Sequence, residues 1–157
     1  MHEPHILPIA KRGEPILQQR AHTVSNVHDP AIQQLIDNML ATMLAANGVG
    51  IAAPQVFSPL RIIIVASRPN QRYPDAPLME PLALVNPEIL WRSAETSLYD
   101  EGCLSVPDTR VPMERAEQLQ VRYLTRDGQA VETRYHGFIA RIIQHEYDHI
   151  EGILIQP

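Results

Sequence analysis

The chain has 157 residues, enough for one domain with a proper core and too few for two of ordinary size, so residues 1–157 are read as a single domain. A formal charge of -5 without a basic stripe excludes nucleic acid or an anionic membrane as the main partner and leaves peptides or neutral substrates. There is no apolar run of about eighteen residues and no charged-then-apolar leader, and one cysteine makes no internal disulfide, so a reducing cytoplasm is the expected compartment.

Asp29-Pro30 reads as N-cap and first helical residue. The series Ile32, Leu35, Ile36, Met39, Leu40, Met43, Leu44 has helical spacing, and Asn47-Gly48 closes the helix. The small, nearly uncharged stretch Gly48-Val49-Gly50-Ile51-Ala52-Ala53-Pro54-Gln55 follows, its glycines permitting close backbone approach to a strand or a ligand. Gln55 reads equally well as a partner for a buried backbone group. Arg61–Ala66 is a β-branched run expected to form a buried strand. Residues 68–81, with four prolines, read as an extended surface excursion of no assigned role. Leu82–Leu90 resumes a strand pattern, broken at Asn86-Pro87 by a bulge or an edge. Gln118–Leu124 and Ala130–Tyr135 form a hairpin about Asp127-Gly128. The middle of the chain is therefore a set of antiparallel strands. A last helix runs from Gly137 to Gly152.

That helix carries His145-Glu146-Tyr147-Asp148-His149, a HExxH sequence expected by chance about 0.02 times in such a chain. At ~100° per residue the two histidines share a face and Glu146 stands at its edge, which suits a metal bearing a water. A catalytic metal usually holds three protein groups, yet of the residues after His149 only Glu151 has a ligating group, and it points roughly 160° away. The third ligand must come from upstream. His136 is too far along the helix to converge, and His2, His5, His22 and His28 lie in a polar N-terminal region. Cys103, between Gly102 and the turn-forming Leu104-Ser105-Val106-Pro107, is the candidate; a lone cysteine is ordinarily a small buried hydrophobe, but beside an incomplete metal motif the odds reverse. Phe138 and Ile142 continue the histidine stripe and read either as walls of an apolar pocket or as structural residues, while Ile139, Ile143 and Ile150 form a second, core stripe. Asp148 reads as an acid orienting a ligand or as a solvated carboxylate.

Three segments together resemble the peptide deformylases: Gly48-Val49-Gly50-Ile51-Ala52-Ala53-Pro54-Gln55, Glu101-Gly102-Cys103-Leu104-Ser105, and Gln144-His145-Glu146-Tyr147-Asp148-His149 with Gly152. The similarity runs from about Leu7 to Leu154 in the family's order. It implies an α+β fold of antiparallel sheets packed around a central C-terminal motif helix, with an N-terminal helix. It also implies removal of formyl from the N-terminal formyl-methionine of nascent chains, with release of formate. By position, Cys103, His145 and His149 match the metal ligands and Glu146 the catalytic carboxylate. Gln55 and the Leu104 N–H match the oxyanion donors. Val49 and Gly102 match main-chain positions that pair with the substrate as an added strand, with Gly50 beside the first. Phe138 and Ile142 match the methionine pocket, and Arg110 a substrate-side arginine.

A divalent metal in such a set lowers the pKa of bound water from ~15.7 towards neutrality, giving a hydroxide for Glu146 to serve as base and then acid. The resemblance implies Fe(II); ligand type alone suggests Zn(II), and Ni(II) or Co(II) can occupy a purified sample. Two departures stand out: the proline-rich stretch is longer than in compact relatives, and the chain stops soon after the motif helix, short of the C-terminal extension by which many relatives contact the ribosome. The resemblance keeps the ribosome among the partners, while the absent extension counts against docking by that route. An HExxH metallopeptidase and a silent binder of formylated N-termini are the rival readings, the first opposed by the missing downstream ligand and the second by intact Glu146 and Gln55.

Overall fold

The run Ile62–Val65 carries a branched apolar side chain at every position, so neither face of the strand it forms can meet water. In the computed structural model, which describes residues 3–155 and so leaves out His2, this strand lies within a five-stranded antiparallel sheet. The order is β1 (Gly50–Ala52), β2 (Ile62–Val65), β3 (Leu82–Arg92), β6 (Gln118–Leu124) and β7 (Ala130–His136). A separate hairpin pairs β4 (Thr96–Cys103) with β5 (Val106–Ala116). Ile63 and Val65 pack with Leu84, Leu119 and Val121 against Ala140, Ile142, Ile143 and Ile150 of helix α2 (Gly137–Ile150). Ile62 and Ile64 pack with Ile51 and Val85 against Ile36, Met39 and Met43 of helix α1 (Pro30–Ala45). The expected α+β architecture is therefore present, with the motif helix central and buried along most of its length.

Helix α1 has the anticipated ends. The Asp29 carboxylate accepts from the Ala31 N–H at 2.9 Å, and Pro30 occupies the first turn, where its missing N–H costs nothing. At the other end Asn47 adopts φ 58°, and the Gly48 and Asn47 N–H groups close onto Met43 O (2.9 Å) and Leu44 O (3.1 Å). This left-handed cap turns the chain out of α1 and straight into β1.

Two sequence readings are sharpened by the strand arrangement. The break at Asn86-Pro87 is a bulge and not an edge, since β3 lies between β2 and β6 and its register slips between Val85 and Glu88. Pro87 has no N–H for a ladder, and Asn86, at φ 52°, bonds the Val24 backbone twice through its amide, at 2.8 and 3.0 Å. The proline-rich stretch is not a plain surface excursion. Ser67 closes its base by donating to Pro77 O (2.6 Å) and accepting from the Met79 N–H (3.0 Å), and Ala76 is buried. Its prolines prevent strand pairing, so the stretch folds back as a loop. At the loop tip Asn70 Oδ1 accepts from the Arg72 and Tyr73 N–H groups, aiming both residues inward.

Asn86→Ala, which deletes both bonds to Val24 and strains the left-handed backbone, is expected to cost about 1–3 kcal/mol in urea unfolding. Asn86→Gly, which tolerates that backbone, is expected to cost less; equal losses would show that backbone strain at the bulge is unimportant.

Candidate metal centre

Cys103 ends β4, where the hairpin register shifts: Gly102 faces Arg110, and Cys103 already faces Val106 across the tight Leu104-Ser105 turn. The turn projects the thiol towards α2, on which His145 and His149 lie one turn apart with ring centroids 5.1 Å from each other. Cys103 Sγ is 3.3 Å from His149 Nε2, and the potential ligand atoms of Cys103, His145 and His149 all lie within 4.8 Å of one another. Among the described residues this is the one group of three with such geometry, so His5, His22, His28 and His136 take no part.

A buried carboxylate orients the first histidine. Glu101 Oε1 lies 3.0 Å from His145 Nδ1, which leaves Nε2 free to face the thiol side. The same carboxylate accepts from Arg115 Nε (3.0 Å) and Nη2 (2.8 Å) and from Arg141 Nη1 (2.6 Å). Burial pushes the Glu101 carboxyl up, but the hydrogen bonds from His145 and Arg115 outweigh it and hold it at about 2. Arg115 also binds Asp148 at 2.6 Å, so Asp148 is neither a free carboxylate nor a direct partner of a histidine. Arg141 in turn reaches Ser97 O (2.7 Å) and Met113 O (3.0 Å), fastening the hairpin to the helix.

Glu146 is enclosed, and its Oε1 has no hydrogen-bond partner. Burial raises its carboxyl to about 7, against the opposing pull of His145. Gly50 backs directly onto it: a Cβ at that position would stand 2.7 Å from both Glu146 Oε2 and Ile142 Cγ2. The close approach that the sequence suggested for this glycine is therefore to the motif helix itself. Gln55 serves two groups, its Oε1 accepting from the Ala52 N–H (2.9 Å) and its Nε2 donating to Ser105 Oγ (3.1 Å) beside Cys103 Sγ (3.7 Å). The buried-backbone role and the site-facing role thus coexist in one side chain.

One cavity gathers Val49, Gly50, Gln55, Gly102, Cys103, Leu104, Phe138, Ile142, His145 and Glu146. Arg110 is outside it, at an adjoining depression, with its guanidinium 5.4 Å from the centre of the Tyr73 ring. Sequence reasoning missed Arg72 and Tyr73, which line the cavity from the proline-rich loop. Tyr73 packs its ring against Phe138 at 4.9 Å, and its hydroxyl accepts from the Gly102 N–H at 3.2 Å. Arg115 carried no sequence signal. Arg141 did, lying four residues before His145 on the same helix face.

The residues suit a bound divalent ion. Their donors are one thiol and two imidazoles, and a tetrahedral ion with bonds of ~2.0–2.3 Å would hold such atoms about 3.5 Å apart, near the Cys103–His149 separation. Burial opposes a charge on His145, yet the bonds of Cys103 and Glu101 raise its pKa well above the ordinary value, while burial and the His145 charge push His149 well below, so the pair takes up one positive charge and resists a second.

These features define a metal-dependent hydrolase centre of the HExxH type, completed by an upstream cysteine. The sequence pattern of the polypeptide deformylase family matches residues 6–156, and the chain belongs to that family. It is 51% identical over 151 residues to peptide deformylase 2 of Nostoc sp., covering 96% of this chain and 84% of that protein. It is 54% identical over 149 residues to peptide deformylase 2 of Shewanella oneidensis, covering 95% and 82%. Its structure superposes on the Met-Ala-Ser-bound class I type b peptide deformylase of Acinetobacter baumannii with a TM-score of 0.93 at 59% identity, over 95% of each chain. The peptide deformylase of Thermotoga maritima gives 0.86 at 36% identity, over 98% of this chain and 99% of that one.

Glu101→Gln keeps the shape of the hub but removes its charge. Titration against a competing chelator is expected to show metal held about 10–100-fold more weakly, with the fold retained in circular dichroism; unaltered affinity would remove Glu101 from the role of orienting His145.

Proposed function

We propose that this chain removes the formyl group from the N-terminal formyl-methionine of nascent polypeptides, with Cys103, His145 and His149 holding a divalent ion and Glu146 moving the proton. The observation that carries the reading is one cavity in which Cys103 and His145, the Glu146 carboxyl and the Gln55 amide meet an apolar wall of Phe138 and Ile142, with His149 Nε2 3.3 Å from the Cys103 thiol. The ion would supply Lewis acidity and a water of lowered pKa. Glu146 takes a proton from the attacking water at its unpartnered Oε1 and passes it to the departing amine, and burial, which raises its carboxyl, helps it hold the proton between the two steps. Gln55 Nε2 and the Leu104 N–H donate to the formyl oxygen as its charge grows, and losing one such donor typically costs ~10²–10³ in rate.

Substrate placement follows from the walls of the cavity. Phe138 and Ile142 take the methionine side chain, and the Val49 and Gly102 main chains hold the peptide as an added strand. On that reading the peptide displaces the Tyr73 hydroxyl from the Gly102 N–H, and Arg110 meets the peptide beyond the methionine. The Val49 carbonyl already accepts from the Ala66 N–H at 2.8 Å, which favours its N–H as the pairing group. A formyl carbon bears only hydrogen, so tight walls admit it and turn away bulkier acyl groups. Fe(II) is the proposed ion and the cytoplasm the proposed compartment, where a thiol ligand stays reduced; among the described residues no helix is long and apolar enough to cross a membrane. The chain is proposed to act as one catalytic domain.

Anaerobic purification with metal analysis and a formate-coupled assay on formyl-Met-Ala-Ser tests the reading. Formate release tracking bound iron is expected; cleavage of an internal amide without formate would favour a peptidase and overturn it. Glu146→Gln is expected to lower kcat by at least about 10³ with the metal still bound. Gly50→Ala, whose added methyl collides with Glu146 and Ile142, is expected to lose most activity as well; near-normal kcat there would mean that the carboxylate needs no such tight backing.

A further inference from the structure

We infer that residues 10–12 form a splint that sets the spacing of Gln55 and Leu104, with Lys11 as a positioning residue; this rests on the proposed reading of those two residues as oxyanion donors. The two come from separate parts of the fold. Gln55 lies in a 3₁₀ turn (Ala53–Val56) after β1 of the large sheet, and Leu104 in the turn of the β4–β5 hairpin. Between the two segments the Gln55 amide is the direct link, its Nε2 donating to Ser105 Oγ at 3.1 Å and to Cys103 Sγ at 3.7 Å. Residues 10–12 add three more. The Ala10 N–H donates to Gln55 O at 2.6 Å, the Arg12 N–H to Ser105 O at 2.9 Å, and Lys11 Nζ to Leu104 O at 3.2 Å. The short segment thus grips one donor residue at its first position and both residues of the facing turn at its next two.

The splint is itself anchored. Ala10 is fully buried, and upstream the Leu7 N–H donates to Thr42 Oγ1 and the His5 N–H to Asn38 Oδ1, both at 2.8 Å, tying the segment to α1. Lys11 is exposed and bonds a single carbonyl, so its contribution to global stability is small; that carbonyl belongs to the Leu104–Ser105 peptide, next to the Cys103–Leu104 peptide that carries the donor N–H, so Lys11 acts on the donor through the backbone of Leu104. Donor geometry is where such a small contribution has a large effect, since misplacement by about 1 Å can cost ~10² in rate. Lys11 is also the sole lysine of the chain, so apart from the terminal amine an amine-specific reagent reaches this side chain alone.

The test compares the metal-loaded wild type, Lys11→Met and Lys11→Arg. Lys11→Met is expected to lower kcat about three- to tenfold, with KM, metal content and Tm unchanged. Lys11→Arg is expected to restore most of kcat. Amide hydrogen exchange, read without substrate, is expected to quicken at Leu104 and Ser105 in Lys11→Met by a similar factor. Unchanged kcat and exchange in Lys11→Met would overturn the inference, as would a parallel loss of Tm and KM that arginine does not rescue, the mark of a purely structural contact. If the wild type itself releases no formate, the functional reading fails, and the exchange rates alone then decide whether the splint exists.

Discussion

A single buried carboxylate, Glu101, holds the site together. It receives four donor contacts from three cationic or ring side chains, and those side chains belong to three places: Arg115 on β5, Arg141 one turn before the first histidine, and His145 itself. Removing such a charge from water costs several kcal/mol unless its partners are well placed, so the network is stable only when hairpin and helix are in register. Asp148 extends the same logic by taking the remaining guanidinium face of Arg115. The orientation of one imidazole is thus the outcome of an arrangement spanning β4, β5 and α2.

Around that hub the two halves of the fold divide the labour. The large sheet, apolar on both faces at β1 and β2, fixes α2 from one side and α1 from the other, and the cap at Asn47 delivers Gly50 against Glu146. The hairpin brings the thiol, the Leu104 turn and the Gly102 main chain. The loop at 68–81 contributes the aromatic contact with Phe138 and a hydroxyl on the Gly102 N–H. Catalytic chemistry of this kind needs rigidity at the donors and yielding walls at the substrate, and the hydrogen-bond pattern distributes the two accordingly.

What the sequence revealed depended on whether the signal was local. Helix α1, the buried strand, the Asp127-Gly128 hairpin and the His145–His149 face follow from periodicity and turn chemistry within a few residues. Cys103 stands out because the motif helix itself offers two histidines and needs a ligand from elsewhere, and the fold places the thiol beside them. Arg115 and Tyr73 were not legible, since their meaning comes from partners 14 to 65 positions away in the chain: Glu101 in one case, Phe138 in the other. The proline-rich loop misled for a related reason. Prolines announce that a segment will not pair as a strand, but they are silent on which way it folds back.

The origin of the three prospective ligands has a thermodynamic consequence. Cys103 sits on a hairpin that is a sheet of its own, whereas His145 and His149 sit on the helix embedded in the large sheet. A bound ion is therefore a cross-link between two bodies, and its binding energy adds to the energy that docks one on the other. Such an ion would add to the docking that Arg115 and Arg141 already provide, so metal affinity and the stability of the hairpin on the helix would be linked quantities.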